Sequence, residues 1–396
     1  MTQQSGWDFP QSPLPSYPPG WYADPWQQAP WRWWTGHTWS EIVSGGTPQG
    51  AGGSSAAGPP LAKKPFLPAW LSVPVVIAAI PVLLAVGYLV FAAPLAIALG
   101  LIPLLIVLPV LAWLDRVEPE PRAARIHAIL WGATVAVVVS FIVNTIVALS
   151  AGELVASVLS APLVEEAMKG LGILYAVRRK EVDGLMDGIV YAGWVALGFA
   201  VVEDFLYLST ADATGEIWQV FFVRVILTPF AHPLFTFWLG LAIGLAVSRN
   251  RSVFPYALWG YALAVATHML WNGSLGLADV AGGGILLLAI VIFIALFVAV
   301  AITLAVIRTR FSRAFIASIP WLAQRYGVSE TEVAVFSDWR GMLRFRRRLS
   351  KTDRKRFDAI HVALARLMLL HQRPGVVDPV QEGILADQLQ EARYGS

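Results

Sequence analysis

From Phe66 to Ile307 the chain is almost continuously apolar. Short breaks divide this stretch into eight runs: 69–91, 94–114, 126–150, 154–177, 185–208, 219–247, 253–275 and 282–307. Each reaches about 20 residues or more, enough for a helix to cross a bilayer core. The pattern predicts an all-α polytopic membrane protein of about eight transmembrane helices. The flanks read differently. Residues 1–17, mostly Pro, Gln and Ser, have the composition of a disordered leader. Residues 18–43 crowd Trp21, Trp26, Trp31, Trp33, Trp34 and Trp39 into a short span, which predicts a small β-type module whose rings cover one another. Residues 44–65, rich in Gly, Ser and Ala, read as a flexible linker. Residues 311–396 read as a cytosolic helical tail with a basic run from Arg344 to Arg356.

Charge gives the runs a direction. Lys63 and Lys64 precede the first; Arg116, Arg122 and Arg125 follow the second; Arg178, Arg179 and Lys180 follow the fourth. Arg249 and Arg251 follow the sixth, and Arg308, Arg310 and Arg313 the eighth. The intervening loops, around 92–93, 151–153, 209–218 and 276–281, contain no Lys or Arg. The excess of cations on one side predicts that both termini are cytosolic. Composition agrees with a membrane protein, at 57% hydrophobic and 14% charged residues. The first 65 residues hold no apolar core of a cleavable signal, so insertion is expected to begin at an internal helix. With no cysteine, thiolate metal sites and a cysteine nucleophile are excluded, and any metal would use His, Asp, Glu or water. The lipid bilayer is an expected partner and nucleic acid is not. The tail's basic run suits anionic lipid or a partner, or is simply a solvated helix face.

Four of the apolar runs carry ionisable residues away from their ends, where they are costly and mark proton, ion or catalytic sites. In the fourth, Glu165 and Glu166 stand four and three residues before Lys169, so the lysine can neutralise either carboxylate. A lone Glu–Lys pair would serve packing. A second acid beside it adds nothing to packing and suits a general base. In the fifth run Glu203 has no cation within a helical turn, so its partner comes from another helix or a metal, unless it snorkels to water with Asp204. The sixth run places Arg224 and His232 on nearly one face, with Pro229 and Pro233 deforming the helix. In the seventh, His268 and Asn272 share a face and could offer two donors to an oxyanion, or a plain interhelical hydrogen bond. Counted from the outer ends of the runs, Glu203 and His268 lie roughly 8–10 Å deep and Glu165 and His232 roughly 18–20 Å deep.

In order along successive helices, VEEAMKG, DGIVYAGWVALGFAVVED, TPFAHPLFT and HMLWN resemble the motifs of the PrsW family of intramembrane proteases, relatives of the CAAX-processing and bacteriocin-processing proteases. The segment from Asp115 to Pro121 resembles that family as well. The likeness covers about residues 70–310. It implies that Glu165 and Glu166 are the catalytic acidic pair, with Lys169 as partner. Glu203, His232 and His268 are implied as the other polar site positions, and Asn272 corresponds to the asparagine after the last histidine in the CAAX-processing relatives. Asp204 stands where the family often has Asn. The implied setting is a bacterial cytoplasmic membrane, and the implied substrate a membrane-bound protein such as an anti-sigma factor in regulated proteolysis. The Trp-rich segment resembles the DUF2510 module of bacterial envelope proteins, through Gly20-Trp21-Tyr22, Asp24-Pro25 and the run from Trp34 to Trp39. What that module binds is unknown.

Two chemistries remain open on these residues. In one, Glu203, His232 and His268 hold a zinc ion, and Glu165 or Glu166 activates water. In the other no metal binds, His268 and Asn272 stabilise the oxyanion, and Glu203 or His232 orients water. A proton-coupled transporter and a non-catalytic envelope scaffold are the rival functions.

Overall fold

The computed structural model describes residues 20–23, 31–34, 39–44, 71–116, 118–281, 283–375, 377 and 379–394. They belong to two compact units, one of Pro65–Arg310 and one of Met1–Lys64 with Phe311–Ser396. The expected leader 1–17 and, Ser44 apart, the expected linker lie outside the described residues.

In the membrane unit the helices are α1 Val73–Ala92, α2 Pro94–Leu114, α3 Arg122–Ala151, α4 153–178, α5 Leu185–Thr214, α6 Ile217–Ser248, α7 Val253–Ala281 and α8, which begins at Gly283 and ends at Tyr326. Seven are long and apolar enough to cross a membrane, rather than the eight expected. The helix that fails is α4, formed where the fourth run was read. Glu165, Glu166 and Lys169 lie inside it and make it less apolar than the other seven.

Two helices outrun their apolar patterns. α5 continues through Thr214 to Gly215, whose φ of 79° is the left-handed conformation that ends helices. α7 includes 276–281, expected as a loop. α2 is interrupted at Leu101, ahead of Pro103. α6 breaks at 228–230, where Pro229 offers no N–H and the helix restarts at Ala231. Three π-helical turns, Gly132–Ala136 in α3, Ala156–Ser160 in α4 and Phe222–Leu227 in α6, widen the helix locally and shift side chains around its axis.

α5 is buried along almost its whole length and forms the axis of the unit. Backbones meet it at close range, as expected where membrane helices pack through small residues. A Cβ on Gly188 would lie 2.4 Å from the Gly240 carbonyl oxygen of α6, and one on Gly198 2.0 Å from that of Ile129 in α3. α4 is tied down by Trp131, whose indole donates to the Met168 carbonyl at 2.9 Å, and by Tyr261, whose hydroxyl donates to that of Leu163 at 2.9 Å. Large apolar side chains on α1, α7 and α8, such as Leu84, Phe91, Trp259 and Leu287, remain exposed, which suits lipid contact.

In the other unit, β1 Gly20–Ala23, β2 Trp31–Trp34 and β3 Trp39–Ser44 pair antiparallel in that order, with Trp21 opposite Trp33 and Trp34 opposite Trp39. From Phe311 onward the chain is helical: α9 Glu330–Phe336, α10 Trp339–Arg348, α11 Lys351–Gln372 and α12 Pro379–Tyr394. Ser329, Asp338 and Ser350 cap α9, α10 and α11 by accepting from backbone N–H groups. Phe315, Ile319, Phe336, Phe357, Leu364 and Leu389 build its core. Arg393 makes a buried two-bond pair with Glu332, at 2.9 and 2.7 Å. Arg340, Arg344, Arg347 and Arg348 stay exposed.

Candidate active site

The paired glutamates of α4 have different surroundings. Glu166 is fully buried and saturated. Its Oε1 accepts from Lys169 Nζ at 2.8 Å and from His268 Nδ1 at 3.1 Å, and its Oε2 accepts from Thr236 Oγ1 at 2.8 Å. Glu165 accepts one long bond, from Lys169 at 3.4 Å, and makes no other hydrogen bond among the described residues. Glu165 lines a cavity of about 70 Å³ together with Glu203, Tyr207, Arg224, His232, His268 and Asn272; Glu166 and Lys169 stand behind its wall. That volume admits water.

Lys169 is the hub. Besides both glutamates, its ammonium donates to His232 Nδ1 at 2.9 Å, and it lies 4.0 Å over the Phe199 ring. Accepting at Nδ1 places the His232 proton on Nε2, which donates to Glu203 Oε2 at 2.6 Å. The same oxygen accepts from Arg224 Nη2, while Arg224 Nε donates to Asp204 Oδ1 at 2.9 Å. The guanidinium rests 4.0 Å over Tyr207. The partner that Glu203 required is therefore Arg224, from another helix. Asp204 is buried, not snorkelling to water. Arg224 reaches the carboxylates from the π-turn before the Pro229 break, and His232 from the helix after it.

His268 donates from Nδ1 to Glu166, which leaves Nε2 as a lone pair, and its ring stacks on Phe235 at 4.4 Å. Asn272 Nδ2 donates to the Ser157 carbonyl at 2.8 Å. Ser157 belongs to the π-turn of α4, where the altered ladder leaves carbonyls available to side chains.

Of the seven residues singled out in the sequence, Glu165, Glu203, His232, His268 and Asn272 line one cavity, and Glu166 and Lys169 adjoin it through their bonds to His268, His232 and Glu165. The depths differ from the expectation. Glu203 stands eleven residues before Thr214 and His268 thirteen before Ala281, so both lie about 16–20 Å from their helix ends, level with Glu165. The apolar runs stop short of the helix ends, and that made these two residues look shallow.

Thr236 was missed, though it shares a helix face with His232 four residues earlier. The shared face of Arg224 and His232 in the sequence carries no indication of the Glu203 and Asp204 contacts that Arg224 makes. Among the described residues, two groups each gather three potential ligand atoms within 4.8 Å of one another. The first is Glu165, His232 and His268, with Glu165 in the place expected for Glu203. The second, Glu118, Asp183 and Asp187, shares no residue with the cavity. There Asp187 accepts from the backbone N–H groups of Asp183 and Gly184, capping α5. Nearby in sequence, Asp115 accepts from Glu120 N and Arg125, and burial pushes its carboxyl up to about 6.

Over residues 120–302, which contain every residue of this cavity, the chain matches the family described as PrsW family intramembrane metalloprotease. It is 31% identical over 166 residues to Protease PrsW of Geobacillus kaustophilus (strain HTA426), covering 40% of this chain and 70% of that protein. The chain belongs to the PrsW family. It is 30% identical over 152 residues to Protease PrsW of Clostridioides difficile (strain 630), covering 35% of this chain and 63% of that one. To Protease PrsW of Oceanobacillus iheyensis it is 26% identical over 176 residues, 44% of this chain and 79% of that one. No solved structure matches. The family match leaves out the Trp-rich strands and the helical tail.

A PrsW metalloprotease implies a metal, and the donor set fits one. Two imidazoles and a carboxylate form a common zinc set. Each histidine directs its N–H at a carboxylate, Glu203 for His232 and Glu166 for His268, an arrangement that orients metal-binding imidazoles. Around the cavity, the four carboxylates of Glu165, Glu166, Glu203 and Asp204 face the two cations Lys169 and Arg224.

Proposed function

We propose that this PrsW-family protease hydrolyses a peptide bond of a membrane-bound protein inside the bilayer, with Glu165 as general base. The observation that carries the reading is the division between the glutamates. Glu165 opens on a cavity that admits water, whereas Glu166 is closed in by Thr236, Lys169 and His268. Glu165 takes a proton from water as the water oxygen attacks the scissile carbonyl, and returns it to the amide nitrogen as the C–N bond breaks. Asn272 has one amide N–H committed to Ser157 and a second left for the developing oxyanion. Glu166 and Glu203 act as positioning residues for His268 and His232.

Because both histidines spend their N–H on carboxylates, each keeps a lone pair, which suits ligation of a metal better than donation to an oxyanion. Zn2+ held by Glu165, His232 and His268 would supply Lewis-acid polarisation of the carbonyl and acidify bound water.

The resemblance supports an anti-sigma factor as substrate, a bacterial cytoplasmic membrane as location and cytosolic termini. It also supports residues 66–310 as the protease domain, 311–396 as a cytosolic helical tail and 18–43 as a DUF2510-like module. The test is cleavage of a co-expressed single-pass membrane substrate. Glu165→Gln should lower it by about 10²–10⁴-fold while the protein still folds. Wild-type cleavage by that variant overturns the assignment.

A further inference from the structure

We propose that Lys169 competes with a divalent cation for the same donor atoms, so that its ammonium latches the site until a metal displaces it toward Glu166. The inference rests on the metal reading of the proposed function and adds a residue that opposes the metal. The Lys169 ammonium lies 2.9 Å from His232 Nδ1 and 3.4 Å from Glu165 Oε2. His232 and Glu165 are two of the three residues whose ligand atoms gather within 4.8 Å. The other ring nitrogen of His232 is bonded to Glu203, so Nδ1 is the nitrogen that a cation can share with Glu165.

An ammonium cannot keep those contacts beside a dication, because both need the same lone pairs and their charges repel at contact distance. Lys169 has somewhere to go. Its shortest bond, 2.8 Å, is to Glu166 Oε1, an oxygen outside the ligand group. Withdrawal onto Glu166 keeps the ammonium paired while it releases His232 and Glu165. The side chain is fully buried, so retreat into water is not available.

The experiment uses the purified full-length chain in detergent, as wild type, Lys169→Met and Lys169→Gln. Zinc affinity is measured by competition with a chelating dye, and the melting temperature with and without added zinc. Both variants should bind zinc at least about tenfold more tightly than wild type. They should also melt lower without zinc and gain more from it, because a ligand specific to the folded state stabilises in proportion to its affinity. Lys169→Gln guards against misfolding of the methionine variant, since its amide can still donate to Glu166. Equal or weaker zinc binding in the variants, or no zinc binding by any of the three proteins, overturns the competition. Substrate cleavage by wild type in the presence of chelator is scored separately: if it persists while the variants gain no affinity, the latch falls and the glutamate protease stands.

Discussion

Arg224→Met tests whether the Glu203–Asp204–Arg224 cluster is held by charge. Arg224 contacts two adjacent carboxylates on α5. Removing one partner of a buried ion pair costs about 3–5 kcal/mol, most of it from the charge left behind. The Arg224 side chain is 23% exposed and that of Glu203 15%, so solvent relieves part of the loss. The lower end, about 3 kcal/mol, is therefore expected. Asp204→Asn alone removes one charge-assisted bond and should cost about 1–2 kcal/mol. In the double variant one carboxylate has gone with the cation, so the total should fall short of the sum by at least about 1 kcal/mol. Equilibrium unfolding of the four detergent-purified proteins completes the cycle. A loss below about 1 kcal/mol in Arg224→Met, or strict additivity in the double variant, would refute the clamp. Substrate cleavage should fall in Arg224→Met with kcat rather than KM, because Glu203 loses one of the two donors that fix it against His232.

Thr236→Val removes the hydroxyl that donates to Glu166 Oε2; it should cost about 1.5–3 kcal/mol in unfolding measurements and lower kcat, leaving KM near wild type. In the tail, His361 is buried among Phe315, Phe336 and Trp339, and burial lowers its pKa to about 4. The folded state thus resists a proton that the unfolded chain takes up near 6.5, so tail stability is full above pH 6.5 and falls as the pH drops toward 4. The total is about 3 kcal/mol. Hydrogen exchange of α11 should quicken between pH 7 and 5 beyond its intrinsic rate change, and His361→Phe should abolish the extra acceleration.

The helices were legible because lipid demands long apolar runs, and the runs at 69–91, 94–114 and 185–208 reappear as α1, α2 and α5. Helix ends were less legible. Thr214 and Ala281 follow Ser, Thr, Ala and Gly residues that read as loop by hydropathy yet continue a helix without strain. The charged residues could be found because each is expensive in its setting, so Glu165, Glu166, Lys169, Glu203, His232 and His268 stood out without any structure. Their pairing could not be read. The i,i+3 and i,i+4 spacings offered Lys169 to both glutamates, but no spacing tells which carboxylate faces a cavity. Arg224 meets Glu203 from within a π-turn of α6 just before Pro229. A π-turn has no residue signature comparable to that of a cap or a turn.

The bonds that make the cluster tolerable in a membrane are also the ones that would prepare it for chemistry. Buried in an apolar surround, each carboxylate needs donors, and Thr236, Lys169, Arg224 and the two histidines supply them. Once His232 and His268 have donated to Glu203 and Glu166, their protons are fixed; the remaining lone pair of His268 is left for a ligand, and that of His232 is held by Lys169. Stability and site geometry are therefore one network at Glu166, Thr236, Glu203 and Arg224, and substitutions there should reduce both together. Glu165 is the exception. It holds a single long bond to Lys169 and contributes little to that network, so its carboxylate is the one group in the cluster whose retention in lipid packing alone does not explain.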